Sequence, residues 1–415
     1  MKTGSDPLAP LARRILRLRN DNLVPRPWGG LRLCAFKHLS DGGQSSRFGE
    51  SFEVAACPGD PEASAYPSRV LGPDGTQPLL QELLAAHGAA ILGRAVTTAS
   101  QPSLPLLPKF LDVESLLSVQ AHPPGNPECY VILDTDPGAT LRLGFRRDVA
   151  AADLIDTCRR GREEQQALLD LCGERVSPEA LHATLAPLLA QRGQCGDTLA
   201  AAIAHWLPNQ PVGPDATRLL GALHARYWDM LDLLNEIPLR GGQVIFNATP
   251  PRLRGAGQIN AEVHALGDPE EHETLLLEIR RPGVTWRAWD HARFPLRTLD
   301  IERAIGALNL AATRPEEFIA GDLSETALGT MRPLLACPSF SALHLAAERE
   351  RDLMLDTENV PVTLHGIAGQ VRVSGGGDTV LLGRGESALL PAALGECRIR
   401  AATPNGQLIA VRVYS

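Results

Sequence analysis

The sequence is poor in aromatic residues, has no excess of positive charge and contains no long apolar run. Phe, Trp and Tyr make up 4% of the 415 residues, and the formal net charge is −8. A negative net charge argues against nucleic acid or an anionic membrane surface as a general partner. No apolar run approaches the roughly 20 residues of a transmembrane helix, and we identify no signal peptide. A small anionic ligand is not excluded, because it needs only a local cluster of Lys and Arg.

The eight cysteines form no motif. They contain no Cys-x-x-Cys pair and show no regular spacing, which argues against a zinc site built from thiolates. Cysteines scattered along a long chain without a signal peptide are typical of reduced, mostly buried thiols. We therefore predict a cytoplasmic protein.

The most informative pattern lies at residues 116–123. Apolar and polar residues alternate there, as in a half-buried strand. In such a strand Ser118, Gln120 and His122 share one face, and a face of hydroxyl, amide and imidazole lines a polar pocket. Glu128 follows after a turn rich in Pro and Gly, so we expect a hairpin to bring its carboxylate back beside His122.

These side chains suit a divalent metal ion. An amide oxygen, an imidazole nitrogen and a carboxylate oxygen can hold Zn²⁺, Mn²⁺ or Fe²⁺. A second histidine, His264, follows the strand-like segment at residues 242–246. From spacing alone, the alternative is a histidine satisfied by ordinary hydrogen bonds and a glutamate on the surface.

Six short segments follow the order in which one known family arranges its motifs. They lie at residues 28–30, 49–53, 117–123, 127–129, 263–265 and 285–290. This pattern resembles type I mannose-6-phosphate isomerase, a zinc-dependent enzyme of the cupin fold. By this resemblance the first two segments shape the barrel, the next three carry metal ligands and the last carries an essential arginine.

The resemblance also implies the reaction and the role of each residue. One Zn²⁺, or another divalent ion, would be bound by Gln120, His122, Glu128 and His264. Glu278 would act as general base and Arg287 would stabilise an enediolate, while Lys109, Ser118 and Arg293 would contact a small sugar phosphate. The implied reaction interconverts mannose 6-phosphate and fructose 6-phosphate through an enediol and feeds GDP-mannose synthesis.

Other interpretations stay open. Glu278 could form a structural salt bridge with Arg280 or Arg281, and Arg287 could stack between the flanking tryptophans. The protein could also be a non-catalytic or regulatory sugar-binding cupin, or an isomerase of a related sugar. A metal-dependent oxygenase is disfavoured, because its usual two-histidine triad differs from a Gln-x-His pair.

The chain departs from the family's pattern in two places. The loop after the first metal strand is very short, and Asn126 stands where many members have a substrate-contacting Lys. An insert at residues 247–260 makes His264 the least certain ligand, with His272 and His291 as rivals. The need for a phosphate group on the substrate therefore stays open.

The predicted fold is mainly β, with cupin or jelly-roll barrels and an inserted α-helical domain. Residues 1–148 and 237–320 would form a discontinuous catalytic cupin domain. Residues 149–236 show helical spacing and would form the insertion, and short strands with Gly-rich turns place a structural cupin-like domain at 321–415. We expect His365 in that domain to satisfy a core hydrogen bond. A monomer and a homodimer are both compatible with the sequence.

Overall fold

A computed structural model of the protein describes residues 8–40, 47–95, 102–207, 214–255 and 258–414. In this part of the chain the strands form four antiparallel sheets, and helices are concentrated in one inserted region. The predicted fold class, mainly β with an inserted helical domain, is confirmed.

The elements are named here in chain order. The first part contains β1 (Leu16–Arg17), β2 (Leu23–Gly30), α1 (Arg32–Phe36), β3 (Phe48–Phe52), α2 (Pro61–Ala65), α3 (Leu80–Leu92), β4 (Lys109–Val113), β5 (Val119–Ala121), β6 (Glu128–Thr135) and β7 (Thr140–Phe145). The insertion contains α4 (Ala151–Cys172), α5 (Pro178–Leu189), α6 (Gly196–Ala202) and α7 (Pro214–Asp232). The next part contains β8 (Leu234–Pro238), β9 (Gln243–Asn247), β10 (His264–Ala265), β11 (Thr274–Ile279), β12 (Trp286–Trp289), α8 (Ile301–Gly306) and β13 (Ile319–Asp322). The last part contains β14 (Thr330–Ala336), β15 (Phe340–Ala346), β16 (Leu353–Asp356), β17 (Val362–Ala368), β18 (Gln370–Gly375), β19 (Asp378–Gly383), β20 (Ser387–Leu390), β21 (Glu396–Ala401) and β22 (Gln407–Val413).

Two facing sheets form the N-terminal barrel. One has the strand order β13-β9-β6-β11-β4-β2-β3, and the other has the order β12-β5-β10-β7-β8. An apolar core that includes Val113, Ile132, Leu143 and Leu276 fills one end of the space between them. At the other end the inward positions of β4, β6 and β11 become charged, with Lys109, Glu128 and Glu278.

The central strands of the larger sheet are buried on both faces. Along β6, Tyr130 and Ile132 belong to the core of the N-terminal barrel, whereas Cys129 and Val131 belong to a second core shared with the C-terminal barrel. Such strands read as continuous apolar runs rather than as an alternation. The charged residues at the ends of these strands interrupt the apolar pattern and therefore indicate a functional site.

The close approach of two carboxylates explains the glycine at position 30. A Cβ atom on Gly30 would lie 2.2 Å from Glu273 Oε1 and 2.4 Å from Asp112 Oδ1. These carboxylates accept hydrogen bonds from the first amides of α1, including Arg32 N to Asp112 Oδ2 at 2.7 Å. Only glycine leaves room for this cap.

The helical insertion packs on the smaller sheet. Its core combines Leu185, Leu220 and Leu231 with Phe145 and Trp289 of the barrel. Ser177 caps α5, since its hydroxyl accepts from the Ala180 amide at 3.2 Å. The helices end at residue 232, and β8 returns to the barrel earlier than the predicted boundary at 237.

The C-terminal barrel also has two facing sheets. Their strand orders are β1-β20-β17-β22-β15-β14 and β16-β21-β18-β19. Strand β1 adds an N-terminal edge to this domain, with Leu16 opposite Leu389. The structure therefore differs from the expectation that residues 1–148 belong wholly to the first barrel.

A buried polar chain joins the two barrels. Lys37 Nζ lies 2.7 Å from Glu53 Oε1, and Ser387 Oγ donates to Glu53 Oε2 at 2.7 Å. Ser387 also lies 2.9 Å from His365 Nδ1, and Thr363 Oγ1 lies 2.8 Å from His365 Nε2. As predicted, His365 satisfies hydrogen bonds in the core. Burial lowers its pKa to about 3, so its ring is neutral.

Two further findings bear on the sequence predictions. The eight cysteines all lie in the described part of the chain; none of them forms a disulfide bond there, and most of them are buried. Among the described residues, none of the helices combines the length and apolar character that crossing a bilayer would require.

Candidate active site

A polar cavity of about 160 Å³ opens at the charged end of the N-terminal barrel. Its walls come from both facing sheets. Of the nine predicted site residues, the structure brings these eight to the cavity: Lys109, Ser118, Gln120, His122, Glu128, His264, Glu278 and Arg287.

The smaller sheet contributes one side of the site. Gln120 on β5 stands opposite His264 on β10 and opposite Arg287 on β12. Ser118 and His122 flank β5 at the same two-residue spacing, so all five side chains reach the cavity. This part of the strand prediction agrees with the structure, although the regular strand covers only Val119–Ala121.

The larger sheet contributes the other side. Glu278 on β11 stands opposite Lys109 on β4 and Tyr130 on β6, and Glu128 stands opposite Asn247 on β9. The predicted hairpin between β5 and β6 is wrong, because these strands belong to different sheets. The short turn between them crosses from one sheet to the facing one, and this crossing places Glu128 beside His122.

Three buried side chains converge on one point. His122 Nε2 lies 2.9 Å from Glu128 Oε1, and His264 Nε2 lies 3.4 Å from Glu128 Oε2. The three ligand atoms all lie within 4.8 Å of one another. The two imidazole rings are stacked, with centroids 5.2 Å apart. Two imidazole nitrogens and a carboxylate oxygen form a donor set that a divalent metal ion can use.

The hydrogen bonds around these ligands fix their orientation. His264 Nδ1 lies 2.9 Å from the Glu262 carbonyl, and His122 Nδ1 lies 3.3 Å from the Val284 carbonyl. Because a carbonyl only accepts, each Nδ1 carries the proton and each Nε2 offers a lone pair. Burial lowers the pKa of His264, which favours the neutral ring that binds metal.

Asn247 and Tyr130 hold the carboxylate from behind. Asn247 Nδ2 donates to Glu128 Oε2 at 3.1 Å and to Tyr130 Oη at 3.0 Å, and the tyrosine hydroxyl donates to the same carboxylate oxygen. Asn247 Nδ2 also lies 3.1 Å from His264 Nδ1, but its two hydrogens are used by the first two contacts. Sequence reasoning missed both residues, because spacing alone does not show that the strand-like segment at 242–246 pairs with β6.

One atom tests whether a metal ion fits. Within the described residues, His122 Nε2 is buried without a hydrogen-bond partner, although Glu128 Oε1 is 2.9 Å away. A buried lone pair facing a carboxylate is unfavourable unless a cation lies between them. Burial raises the pKa of Glu128, but positive charge beside it, including that of Arg280, outweighs this effect and holds the pKa well below its usual range. The residues present therefore fit a divalent cation.

Gln120 adds a neutral oxygen to this set. Its Nε2 donates to Ser118 Oγ at 3.0 Å, which leaves the lone pairs of the amide oxygen to bind a metal ion. The rival histidines lie elsewhere: His272 Nδ1 is 3.1 Å from Asp268 Oδ1, and His291 Nε2 is 2.8 Å from the Leu117 carbonyl.

Glu278 has an unusual environment. Burial, followed by the nearby negative charge of Glu128, raises its pKa to about 7 even though Lys109 and Arg280 oppose the shift. Arg280 Nε lies 3.4 Å from Glu278 Oε2, so the salt bridge considered from the sequence is present as well. A carboxylate with a pKa near neutrality can both accept and release a proton.

The two predicted arginines occupy different places. Arg287 lines the cavity, and its buried Nε has no hydrogen-bond partner among the described residues. It is Arg303, rather than Arg287, that lies over the Trp286 ring, at 5.8 Å. Arg293 does not line the cavity: its Nη2 donates to the Leu116 carbonyl, and it faces a separate cavity of about 380 Å³ beside the insertion. Arg297 reaches the site instead.

Several charged residues of the cavity were not predicted as site residues. They are Arg26, Glu50, Glu62, Arg280 and Arg297. A signal existed for Arg280, because it lies two residues after Glu278 and so shares its face of the chain. Glu50 belongs to a recognised segment, but that segment was interpreted as shaping the barrel.

Comparison with known proteins gives structural matches only. No family model and no curated protein matches the sequence. The mannose 6-phosphate isomerase from Bacillus subtilis is 17% identical, with a TM-score of 0.62, covering 96% of this chain and 99% of that chain. A variant of the phosphomannose isomerase from Salmonella typhimurium is 16% identical, with a TM-score of 0.62, covering 97% and 100%. A mannose 6-phosphate isomerase bound with zinc and yttrium is 16% identical, with a TM-score of 0.61, covering 97% and 100%. The chain thus shares the fold of these phosphomannose isomerases over almost its full length.

Proposed function

We propose that the protein is a zinc-dependent mannose-6-phosphate isomerase that interconverts mannose 6-phosphate and fructose 6-phosphate through an enediol. The observation that carries this proposal is the convergence of His122, Glu128 and His264 in one cavity with Glu278. The substrate is supported by solved structures of the same fold that are named mannose 6-phosphate isomerases. Zinc is supported by the donor set and by the zinc in one of those structures.

The metal ion would be held by four side chains: Gln120, His122, Glu128 and His264. When bound, Zn²⁺ acts as a Lewis acid that stabilises negative charge on the adjacent oxygens of a sugar. The chain's own outer contacts, from Asn247 and the Glu262 carbonyl, keep the ligands in place.

Glu278 is proposed as the general base. It takes the proton from C2 of the open-chain aldose while O1 gains a proton, which gives the enediol. It then returns a proton to C1 while O2 loses one, which gives the ketose. Because its pKa is raised toward neutrality, the same group can do both. Such a group contributes about 10²–10⁴-fold to a rate.

Arg287 is proposed to stabilise the charge that develops during this transfer. Its guanidinium remains charged at any working pH and forms strong hydrogen bonds to oxyanions. Its side chain lines the same cavity as the proposed metal ligands. The salt bridges of the other cavity arginines give them less freedom.

The test is a coupled isomerase assay on the purified protein with mannose 6-phosphate, before and after treatment with a chelator. We expect activity that the chelator abolishes and that added Zn²⁺ restores. The His264→Ala variant should lose stoichiometric zinc, whereas His272→Ala, the matched control, should keep it. A zinc-loaded protein that binds but does not convert the sugar phosphate would instead be a non-catalytic cupin.

A further inference from the structure

Three cations of the cavity share one carboxylate. Glu62 Oε2 lies 2.9 Å from Lys109 Nζ and 3.3 Å from Arg280 Nη2, and Glu62 Oε1 lies 3.6 Å from Arg26 Nη2. Lys109 and Arg280 are deeply buried, with side chains 3% exposed. Arg280 Nε also lies 3.4 Å from Glu278 Oε2, so the cluster borders the proposed general base, but the proposed function gives Glu62 no role.

The helix that carries Glu62 is fixed to the barrel. Asp60 caps α2 by accepting from the Ala63 amide at 2.8 Å, and its other oxygen accepts from the Gly283 amide at 2.7 Å. The backbone of α2 is therefore held over the mouth of the cavity. The Glu62 side chain, in contrast, is 42% exposed, so it can turn into solvent without moving the helix.

The charges explain why a carboxylate is needed there. Burial raises the pKa of Glu62, but Lys109 and Arg280 outweigh it and lower the pKa to about 2, so the group is ionised at neutral pH. Glu50 pairs from inside the barrel with Arg26 and Lys109. Taking Glu62 away would leave buried positive charge without enough partners, which is costly unless another anion replaces it.

We infer that Arg26, Lys109 and Arg280 form the subsite for the phosphate group of the substrate, and that Glu62 occupies this subsite in the free protein as an internal competitor. The link to a sugar phosphate rests on the proposed function. A phosphate monoester carries a charge of about −1.5 to −2 and three strong acceptor oxygens, which matches three donors that face one point. The phosphate must displace Glu62, whereas a neutral sugar need not.

The test compares Glu62→Gln with the wild type in the full-length, zinc-loaded protein. Glutamine keeps the size of the side chain and removes the charge. The matched control is Glu174→Gln, which removes an equal charge from an exposed position of the insertion. Calorimetric titration with inorganic phosphate gives Kd, the coupled assay gives KM for mannose 6-phosphate and for unphosphorylated mannose, and thermal unfolding verifies that each variant is folded.

We expect Glu62→Gln to lower the Kd of phosphate and the KM of mannose 6-phosphate by about tenfold, equivalent to about 1.4 kcal/mol. The KM of mannose should change less than twofold, and the control Glu174→Gln should have the same Kd and KM values as the wild type. Lys109→Met, which removes a donor of the subsite, should weaken phosphate binding instead.

Unchanged phosphate affinity in folded Glu62→Gln would overturn the inference, even if the protein proves to be an active isomerase. Should Glu62→Gln be unstable, Glu62→Asp provides the same test. The shorter side chain places its carboxylate farther from Lys109, so this variant should bind phosphate more tightly than the wild type. If no variant isomerises mannose 6-phosphate but Glu62→Gln still binds phosphate more tightly, the proposed function fails and the anion subsite stands.

Discussion

The two barrels share an architecture but satisfy their buried histidines differently. In the C-terminal barrel, His365 has hydroxyl partners on both ring nitrogens, Ser387 and Thr363. In the N-terminal barrel, His122 has a carbonyl at Nδ1, and its Nε2 faces the Glu128 carboxylate without a hydrogen-bond partner among the residues that the structure describes. A buried histidine with two neutral hydrogen bonds is structural. One whose second nitrogen faces a carboxylate without a hydrogen bond is arranged for a cation.

The strands of the two barrels differ in how their side chains are buried. In the C-terminal barrel, β21 alternates strictly between exposed and buried positions, so its inward side chains build an apolar core. In the N-terminal barrel, β4 is buried at every position and β6 is buried over its first half. One end of that interior is polar, and this end is available for chemistry.

The largest effect should follow from Glu128→Gln, which removes the carboxylate between the two site histidines. Because the group holds both Nε2 atoms in place, zinc should be lost together with activity. We expect a fall in kcat/KM beyond the roughly 10²–10⁴-fold that loss of a general base costs. Metal analysis after dialysis measures the zinc content, and the coupled assay measures kcat/KM. A variant that keeps stoichiometric zinc and turnover would contradict the comparison of the two barrels.

Glu278→Gln should have the next largest effect. We expect kcat to fall by about 10²–10⁴-fold while the zinc content stays the same, since Glu278 does not belong to the ligand set. The assay at saturating substrate, with metal analysis of the same sample, measures this. Full turnover by this variant would remove Glu278 from the proposed mechanism.

The pH profile sharpens the same assignment. A general base must be ionised, and burial raises the pKa of Glu278 from 4.5 to about 7. Activity of the wild type should therefore fall as the pH drops through the neutral range, rather than near 4.5. The residual activity of Glu278→Gln should lack this decline. An identical acid limb in both proteins would assign it to another group.

Asn247→Ala should have a smaller effect, on the metal rather than on the chemistry. Asn247 positions Glu128 from behind, and loss of such an outer contact costs about 10–100-fold in metal affinity. Competition with a chromogenic chelator measures the zinc Kd. The control is Asn235→Ala, another buried amide of the same barrel that bonds to backbone carbonyls instead. Equal zinc affinities in the two variants would deny Asn247 this role.

His365→Ala should have the smallest effect on activity. The change leaves Ser387 and Thr363 without their shared partner, so we expect a loss of about 1–3 kcal/mol in the free energy of unfolding. Zinc content and kcat should not change. Denaturant unfolding measures the stability, and metal analysis measures the zinc content. A loss of zinc would contradict the purely structural role of His365 and thus the difference between the two barrels.

Sequence analysis found the metal side of the site because its residues lie in short local patterns. Ser118, Gln120 and His122 follow the two-residue period of one strand, which fixes their common face. The pattern could not say which sheet the next strand joins, and for this reason the hairpin to Glu128 was wrong. His264 and Glu128 meet because the two sheets that carry them face each other, which spacing along the chain does not reveal.

Most of the charged residues of the cavity could not be predicted from the sequence. Arg26 lies in β2 and Glu62 lies in α2, and only the packing of these two elements against the rest of the barrel brings the two side chains to Lys109. The placement of Arg293 failed for a related reason. It follows β12 in an irregular segment, where a count of residues carries no directional information, and Arg297 reaches the cavity in its place.

The chain of contacts through Glu53 ties the stability of one barrel to that of the other. Lys37 Nζ donates to the Gly385 carbonyl at 2.7 Å as well as to Glu53. A fragment cut before residue 321 would keep this buried ion pair but lose its partners across the boundary, and β1 would lose the strand that it joins. We therefore expect the barrels to unfold as one cooperative unit, and neither to be recoverable by excision.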